Sequence, residues 1–374
     1  MQKIKTGTET FHASHNYGSM LQAYALQQTL CSMGADNEII NLRTKRQKQF
    51  YPRPVYFDIS SLKRIIKSLI MLPYTKQLIR KYDLFEEFLK EELRLTEEFD
   101  ALTPEIEARL SGYDFLIAGS DQIWNTICVD FDWLYYLPVA NHNALAYAPS
   151  MGPAAKRQVS KDNHVKIASC LEQFIGISVR EEGTAEMIQE ISGVKPDVLV
   201  DPTMLLTKAD WEKKISDKPL VKGKYLFIYS PWLTKDILTV GKKLSKLLSL
   251  PIVISNFSIV NVIHSAGCKK ILACGPWEFL NLIKYASLVL SESFHAVVFS
   301  ILLQKPFFAL NGDCDNRICH ILKKMNLSDR VVHTNDVDQV IAYAFDADFT
   351  QSLSALSNER SRSLEFLKKY LINR

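Results

Sequence analysis

Residues 287–310, SLVLSESFHAVVFSILLQKPFFAL, constrain the fold more than any other stretch of this 374-residue chain. A short apolar run, 287–290, stops at Ser291, Glu292 and Ser293. A helical apolar pattern follows from about Phe294 to Leu303, and Pro306 ends it before a second apolar run at 307–310. Strand, tight turn, helix and strand make one βαβ unit of a parallel sheet. Ser293 can act as an N-cap, which puts His295 in the first helical turn. Unpaired backbone N–H groups and the positive end of the helix dipole attract an anion there. An imidazole added at that point makes a small phosphate or carboxylate site, although a lone histidine beside an apolar helix is more often just a satisfied buried one.

The same outline recurs along the chain. Residues 6–15 lead into Asn16-Tyr17-Gly18 and a helical pattern that Gly34 terminates, and Gly18 lets backbone approach a ligand closely. A strand at 113–118 ends at Gly119-Ser120-Asp121-Gln122-Ile123-Trp124-Asn125. In that turn Trp124 could stack on a sugar face while Asp121, Gln122 and Asn125 bond hydroxyls, or the stretch is a capped turn around a buried Trp. Strands at 143–148 and 174–179 lead to Ser150 and to Arg180-Glu181-Glu182, and 198–200 leads to Asp201-Pro202-Thr203. No G-x-G-x-x-G fingerprint is present, which argues against an ordinary NAD site. A second set of strands at 224–229, 251–255 and 287–310 alternates with helices at 235–249 and from Gly275-Pro276 onward. Helices are expected at 59–71 and 75–93 on either side of Pro73, and near 315–326, 336–345 and 352–371. The expectation is an α/β chain of two Rossmann-like doubly wound domains with a cleft between them. Residues 1–205 and 206–350 form the two domains, and 351–374 a terminal helix that could cross back to the first.

Composition adds bounds. No apolar h-region opens the chain and no apolar run approaches about 18 residues, so a cytoplasmic protein is expected. Seven scattered cysteines indicate reduced thiols, and Cys314, Cys319 and His320 alone make a weak metal signature. Residues 43–81 hold eleven Lys/Arg against the single acid Asp58, a local +10, leaving −6 for the rest of a chain of net charge +4. That lobe is either a solvated surface or a peripheral contact with phosphate-bearing substrates or an anionic membrane, and 62–72 has an amphipathic mix. No motif supports nucleic acid.

Taken together, HNYGSMLQAYALQ, GSDQIWN, YAPSMG, ISVREEGT, DPT and SESFHAVVFSILLQKPF resemble, in order and spacing over residues 6–310, the polysaccharide pyruvyl transferase family. The resemblance implies a glycosyltransferase-B-like fold. It also implies transfer of pyruvate from phosphoenolpyruvate to a nucleotide- or lipid-linked sugar of a surface or capsular polysaccharide precursor, with ketal formation and phosphate release. Under that reading Arg180 and the helix start at Ser293 and His295 cradle the donor. His295, held protonated by the neighbouring anion, is the general acid, and Asp121 or Glu292 the base. Asn16, Tyr17, Gly18, Gly119, Ser120, Gln122, Trp124, Asn125 and Ser150 line the substrate cleft, and no metal or cofactor is required. Some members carry arginine where this chain has Ser293, so another cation must serve, with Lys305 and Arg317 as candidates. A nucleotide-sugar glycosyltransferase and a non-catalytic carbohydrate-binding protein are the alternatives.

Overall fold

A computed structural model describes residues 3–56, 60–139, 143–155 and 159–372. The strands form two six-stranded sheets, and every pair in them is parallel. In the first lobe β1 (Lys5–Glu9), β2 (Asp36–Ile39), β3 (Phe115–Ala118), β4 (Ala144–Ala146), β5 (Phe174–Val179) and β6 (Asp197–Val198) run in the order β2-β1-β3-β4-β5-β6. In the second, β7 (Leu226–Tyr229), β8 (Ile252–Ile254), β9 (Lys269–Lys270), β10 (Leu288–Ser291), β11 (Phe307–Leu310) and β12 (Val331–Val332) run β12-β11-β10-β7-β8-β9. Strands such as β3, FLIA, and β11, FFAL, are buried throughout, as a sheet covered on both faces requires.

The described helices of nine or more residues are α1 (Tyr17–Ser32), α2 (Leu62–Glu92), α3 (Glu182–Ser192), α4 (Lys235–Leu248), α5 (Pro276–Tyr285), α6 (Phe294–Leu302), α7 (Asn316–Lys324) and α8 (Thr350–Leu371). The two helices expected around Pro73 are one, α2. A mid-helix proline removes a single backbone bond, and here tertiary contacts hold the helix on its far side. Gln77 Oε1 accepts from Leu272 N at 3.2 Å, and the Tyr74 ring lies 4.8 Å from Phe257.

Sheet order decides where a ligand can sit. In parallel sheets the crevice opens beyond the carboxyl ends of strands at the point where the order reverses. That point falls between β1 and β3 in the first lobe, and between β7 and β10 in the second. The loops and helix starts at the two points carry Asn16, Gly18 and Asp121 on one side and Glu292, Ser293 and His295 on the other. The lobes are locked together beside them by one continuous apolar core that includes Leu21, Phe85, Phe227 and Phe299. Tyr17, from the first lobe, stacks on Phe279 of the second at 4.5 Å and donates its hydroxyl to Cys274 O at 3.2 Å. Lys81 on α2 reaches across to Asn256 Oδ1 at 2.8 Å, and burial lowers its pKa to about 8. Helix α8 packs on the first lobe: the Tyr370 ring fills the space above Gly176, and Ser363 Oγ accepts from Val200 N at 3.3 Å.

Candidate active site

The two reversal points meet at Gly18 and His295. A Cβ on Gly18 would overlap the His295 ring, so only glycine lets α1 come this close to α6. Asn16 caps α1 with its side chain, accepting from Gly18 N at 3.0 Å and Ser19 N at 3.4 Å. At α6 the cap position is Ser293, as its sequence suggests, but its side chain makes no capping bond, and its own N–H is taken by Ser291 Oγ at 2.9 Å. The first-turn N–H groups of α6 are therefore not closed by their own cap.

Around His295 stands a cluster of charges that neither lobe holds alone. Asp201, just past β6, accepts from Arg180 Nη1 at 2.8 Å through Oδ2, and His295 Nε2 lies 3.4 Å from the same oxygen. Its Oδ1 is fixed by Thr203 N at 2.9 Å and Thr203 Oγ1 at 2.7 Å. Burial alone would raise Asp201, but His295, Arg180 and the Thr203 N–H hold it well below the usual carboxylate range. Arg180 also faces Asp121 at 3.5 Å and Glu181 at 3.5 Å, and its guanidinium lies 4.4 Å above the Phe294 ring. Burial would lower its pKa, yet the three carboxylates raise it further. Asp121 accepts from Ser19 Oγ at 2.5 Å, and Glu181 accepts from Ser150 Oγ at 2.8 Å and from Thr184 Oγ1. Burial pushes Glu181 above the ordinary carboxyl value in spite of Arg180. Two donors in this cluster are left over: Arg180 Nη2 and His295 Nε2 are buried without a hydrogen-bond partner. Arg180 is 3% exposed and His295 7%, so ordinary solvent does not satisfy them.

The remaining expected residues divide sharply. Arg317 stands at the start of α7, 6.0 Å from the Phe294 ring and paired with Asp315. It is therefore on the rim of the cluster, where its charge reaches Glu181. Lys305 does not join it: α6 carries this residue to the opposite end of the helix from His295, beside Lys208. Glu292 is held inside the second lobe by Thr234 Oγ1, at 3.0 and 3.1 Å, and burial raises its pKa. Trp124 is not a sugar platform. It is fully buried, stacked on Tyr136 at 5.2 Å, with its indole N–H given to Tyr135 O. Gln122 and Asn125 bond each other at 3.3 Å, and Asn125 also staples Ile127 N. Gly119 has no room for a Cβ against Tyr147 O, and Ser120 Oγ donates to Ala148 O at 2.5 Å. The GSDQIWN turn thus sends only Asp121 to the cluster. Sequence reasoning gave Asp201 no role and passed over Ser19 and Phe294. Their signal was position alone, at the carboxyl edge of β6 and beside two residues already singled out.

Solved structures of other proteins share this two-lobed fold. Staphylococcus aureus MnaA, solved with UDP, aligns at a TM-score of 0.56 with 12% identity, covering 100% of this chain and 98% of that one. A UDP-N-acetylglucosamine 2-epimerase from Rickettsia bellii gives 0.56 and 11% over 100% and 97%. A glycosyltransferase from Rickettsia africae gives 0.55 and 14% over the whole of both chains. Those likenesses define the fold. Residues 16–313 match the family model described as polysaccharide pyruvyl transferase, and the chain belongs to that family. No curated protein matches it.

Proposed function

We propose that the protein transfers pyruvate from phosphoenolpyruvate to two hydroxyls of a sugar in a surface polysaccharide precursor, forming a ketal and releasing phosphate. One observation carries this reading: two buried, unsatisfied donors, Arg180 Nη2 and His295 Nε2, converge from opposite lobes beside the open first turn of α6. Buried donors without partners fit a small anion, and a guanidinium, an imidazole and helix N–H groups suit a molecule bearing phosphate and carboxylate together. Arg317, on the rim beside Phe294, is the cation best placed to serve for the serine at 293.

In this scheme His295 delivers a proton to the methylene carbon, which becomes the methyl group and leaves positive charge at C2. A sugar hydroxyl attacks C2, and Asp121, oriented by Ser19, takes its proton. The C2–O bond to phosphate then breaks with its electrons going to phosphate, and a second hydroxyl closes the ketal. Of the two hydroxyl protons, one balances that in the new methyl group and the other leaves on phosphate. One feature favours the non-catalytic alternative: Arg180 already faces three carboxylates, so its positive charge is more than balanced inside the cluster.

Phosphate release from phosphoenolpyruvate, measured with and without nucleotide-linked and lipid-linked sugars, separates the readings. Acceptor-dependent release that falls at least about 100-fold in His295→Ala supports transfer. Sugar binding with no release in the parent protein supports the binding reading, and release that His295→Ala leaves unchanged removes the role given to the imidazole.

A further inference from the structure

The N-terminal half of α2 is built inside out. Ser68 and Thr75 are its buried residues there, whereas Leu62, Ile66, Leu69 and Leu72 are 73%, 50%, 55% and 49% exposed. Spacings of four, three and three place those four side chains on one stripe of the helix. Phe50, Val55 and Tyr56, in the segment leading to it, are also exposed. Water alone selects the reverse arrangement, with leucines inward, and contiguous exposed apolar surface marks a place where something else lies. The C-terminal half of the same helix behaves normally, burying Phe85, Phe88 and Leu89, so the helix is anchored at one end and presents the other.

Charge selects the occupant. Among the described residues Arg46, Lys63, Lys67 and Lys76 are exposed and form no ion pair, while neighbouring cations such as Lys48 and Arg53 are paired with Glu98 and Asp83. A second copy of this chain packing face to face would bring the same cations against one another. An anionic lipid surface meets both demands, taking the leucines into its acyl boundary and the lysines at its head groups. No described helix is long and apolar enough to cross a membrane, so the contact is with the surface. We infer that the exposed face of α2, Leu62, Ile66, Leu69 and Leu72 with Lys63 and Lys67, docks the enzyme on an anionic bilayer.

Co-sedimentation of the full chain with vesicles of phosphatidylcholine alone, or of phosphatidylcholine and phosphatidylglycerol at about 7:3, tests this. Binding to the anionic vesicles is expected, with at least about tenfold weaker binding to neutral ones and weakening in about 1 M salt, where screening is nearly complete. The combined variant Leu62→Ser, Ile66→Ser, Leu69→Ser, Leu72→Ser and the separate variant Lys63→Glu, Lys67→Glu are each expected to lose at least tenfold in partitioning. Unchanged far-ultraviolet dichroism and thermal midpoint would show that they fold. Equal partitioning of parent and both folded variants overturns the proposal. So does a dimer in sedimentation equilibrium that the serine variant dissociates while the parent ignores vesicles, since a second copy would then be the occupant.

Discussion

The chain builds the same three chemical groups twice. In the second lobe's approach to the first, His295, Asp201 and Arg180 meet; within the first lobe, His15, Glu86 and Arg43 do. The second trio is saturated. Glu86 accepts from His15 Nε2 at 2.7 Å and from both Arg43 terminal nitrogens at 3.0 and 2.9 Å, and the His15 ring stacks on Phe85 at 5.1 Å and Tyr51 at 5.8 Å. The first trio is not: Asp201 is fully engaged, but Arg180 Nη2 and His295 Nε2 are left without a hydrogen-bond partner, the imidazole having only its 3.4 Å ion contact with Asp201. A saturated trio gives stability and asks for nothing, whereas an unsaturated one carries a desolvation cost that a ligand can relieve. The contrast, rather than the presence of a histidine beside a carboxylate, separates the candidate active site from a structural clasp.

The sharpest test exchanges the histidines. His295→Gln is expected to lower acceptor-dependent turnover about 100- to 10,000-fold with a smaller loss of thermal midpoint than His15→Gln, because the imidazole holds Asp201 by a 3.4 Å ion contact and not by a well-made hydrogen bond. His15→Gln should do the opposite, lowering the midpoint and leaving turnover near the parent value. If His295→Gln costs more stability than His15→Gln, the two trios have been assigned the wrong way round.

Next in size is removal of the arginines. Arg180→Met strands Asp201, Asp121 and Glu181 in a dry interior and is expected to cost about 3–5 kcal/mol in urea unfolding. Arg43→Met leaves Glu86 on a partly solvated surface with His15 still bonded, and about 1 kcal/mol is expected. Equal losses would mean that burial is not what distinguishes the trios.

How much of this was legible beforehand follows the same division between local and non-local causes. The βαβ unit at 287–310 and the strand–turn–helix units before it were readable because apolar period and capping residues are local properties, and the observed β11, α6 and β10 fall inside the expected stretch. Pro73 misled because its effect depends on what grips the helix beyond it, and the sequence does not show Phe257 or Leu272 arriving there. Trp124 left two readings open, and the buried one holds: polar neighbours suggest a crevice, but stacking by Tyr136, twelve residues away, turns the indole into core. His295 was readable from its helix start, and Arg180 took its role from the family resemblance. Asp201, the carboxylate between them, came from a third element and needed the fold to acquire meaning.

A smaller effect distinguishes the trios by pH. Burial alone would raise Glu86, but the His15 and Arg43 bonds hold it at about 2, below the ordinary 4.5. A depressed folded-state pKa gives stability that is complete above the unfolded value and disappears as pH falls through the folded one. Glu86→Gln should therefore lose about 1–2 kcal/mol at neutral pH, allowing for partial exposure, and the deficit against the parent should shrink between pH 4.5 and 2. A constant deficit over that range would show that the lost bonds are not charge-dependent.

The smallest expected effect probes the unsaturated trio without altering it first. An anion that bonds Arg180 Nη2 and His295 Nε2 binds the folded chain and has no comparable site on the unfolded one, so it stabilises by mass action. Inorganic phosphate at ten times its dissociation constant gives about 1.4 kcal/mol, which in a chain of this size is a rise in melting temperature of about 2 °C. Chloride at matched ionic strength should give less, because a sphere does not present several acceptor oxygens to a guanidinium and an imidazole together. The rise should vanish in His295→Gln and persist in His15→Gln, whose trio offers no free donor. A rise of equal size in both variants would place the phosphate elsewhere, on the basic surface of residues 43–81, and the inequality between the two trios would then have no chemical consequence.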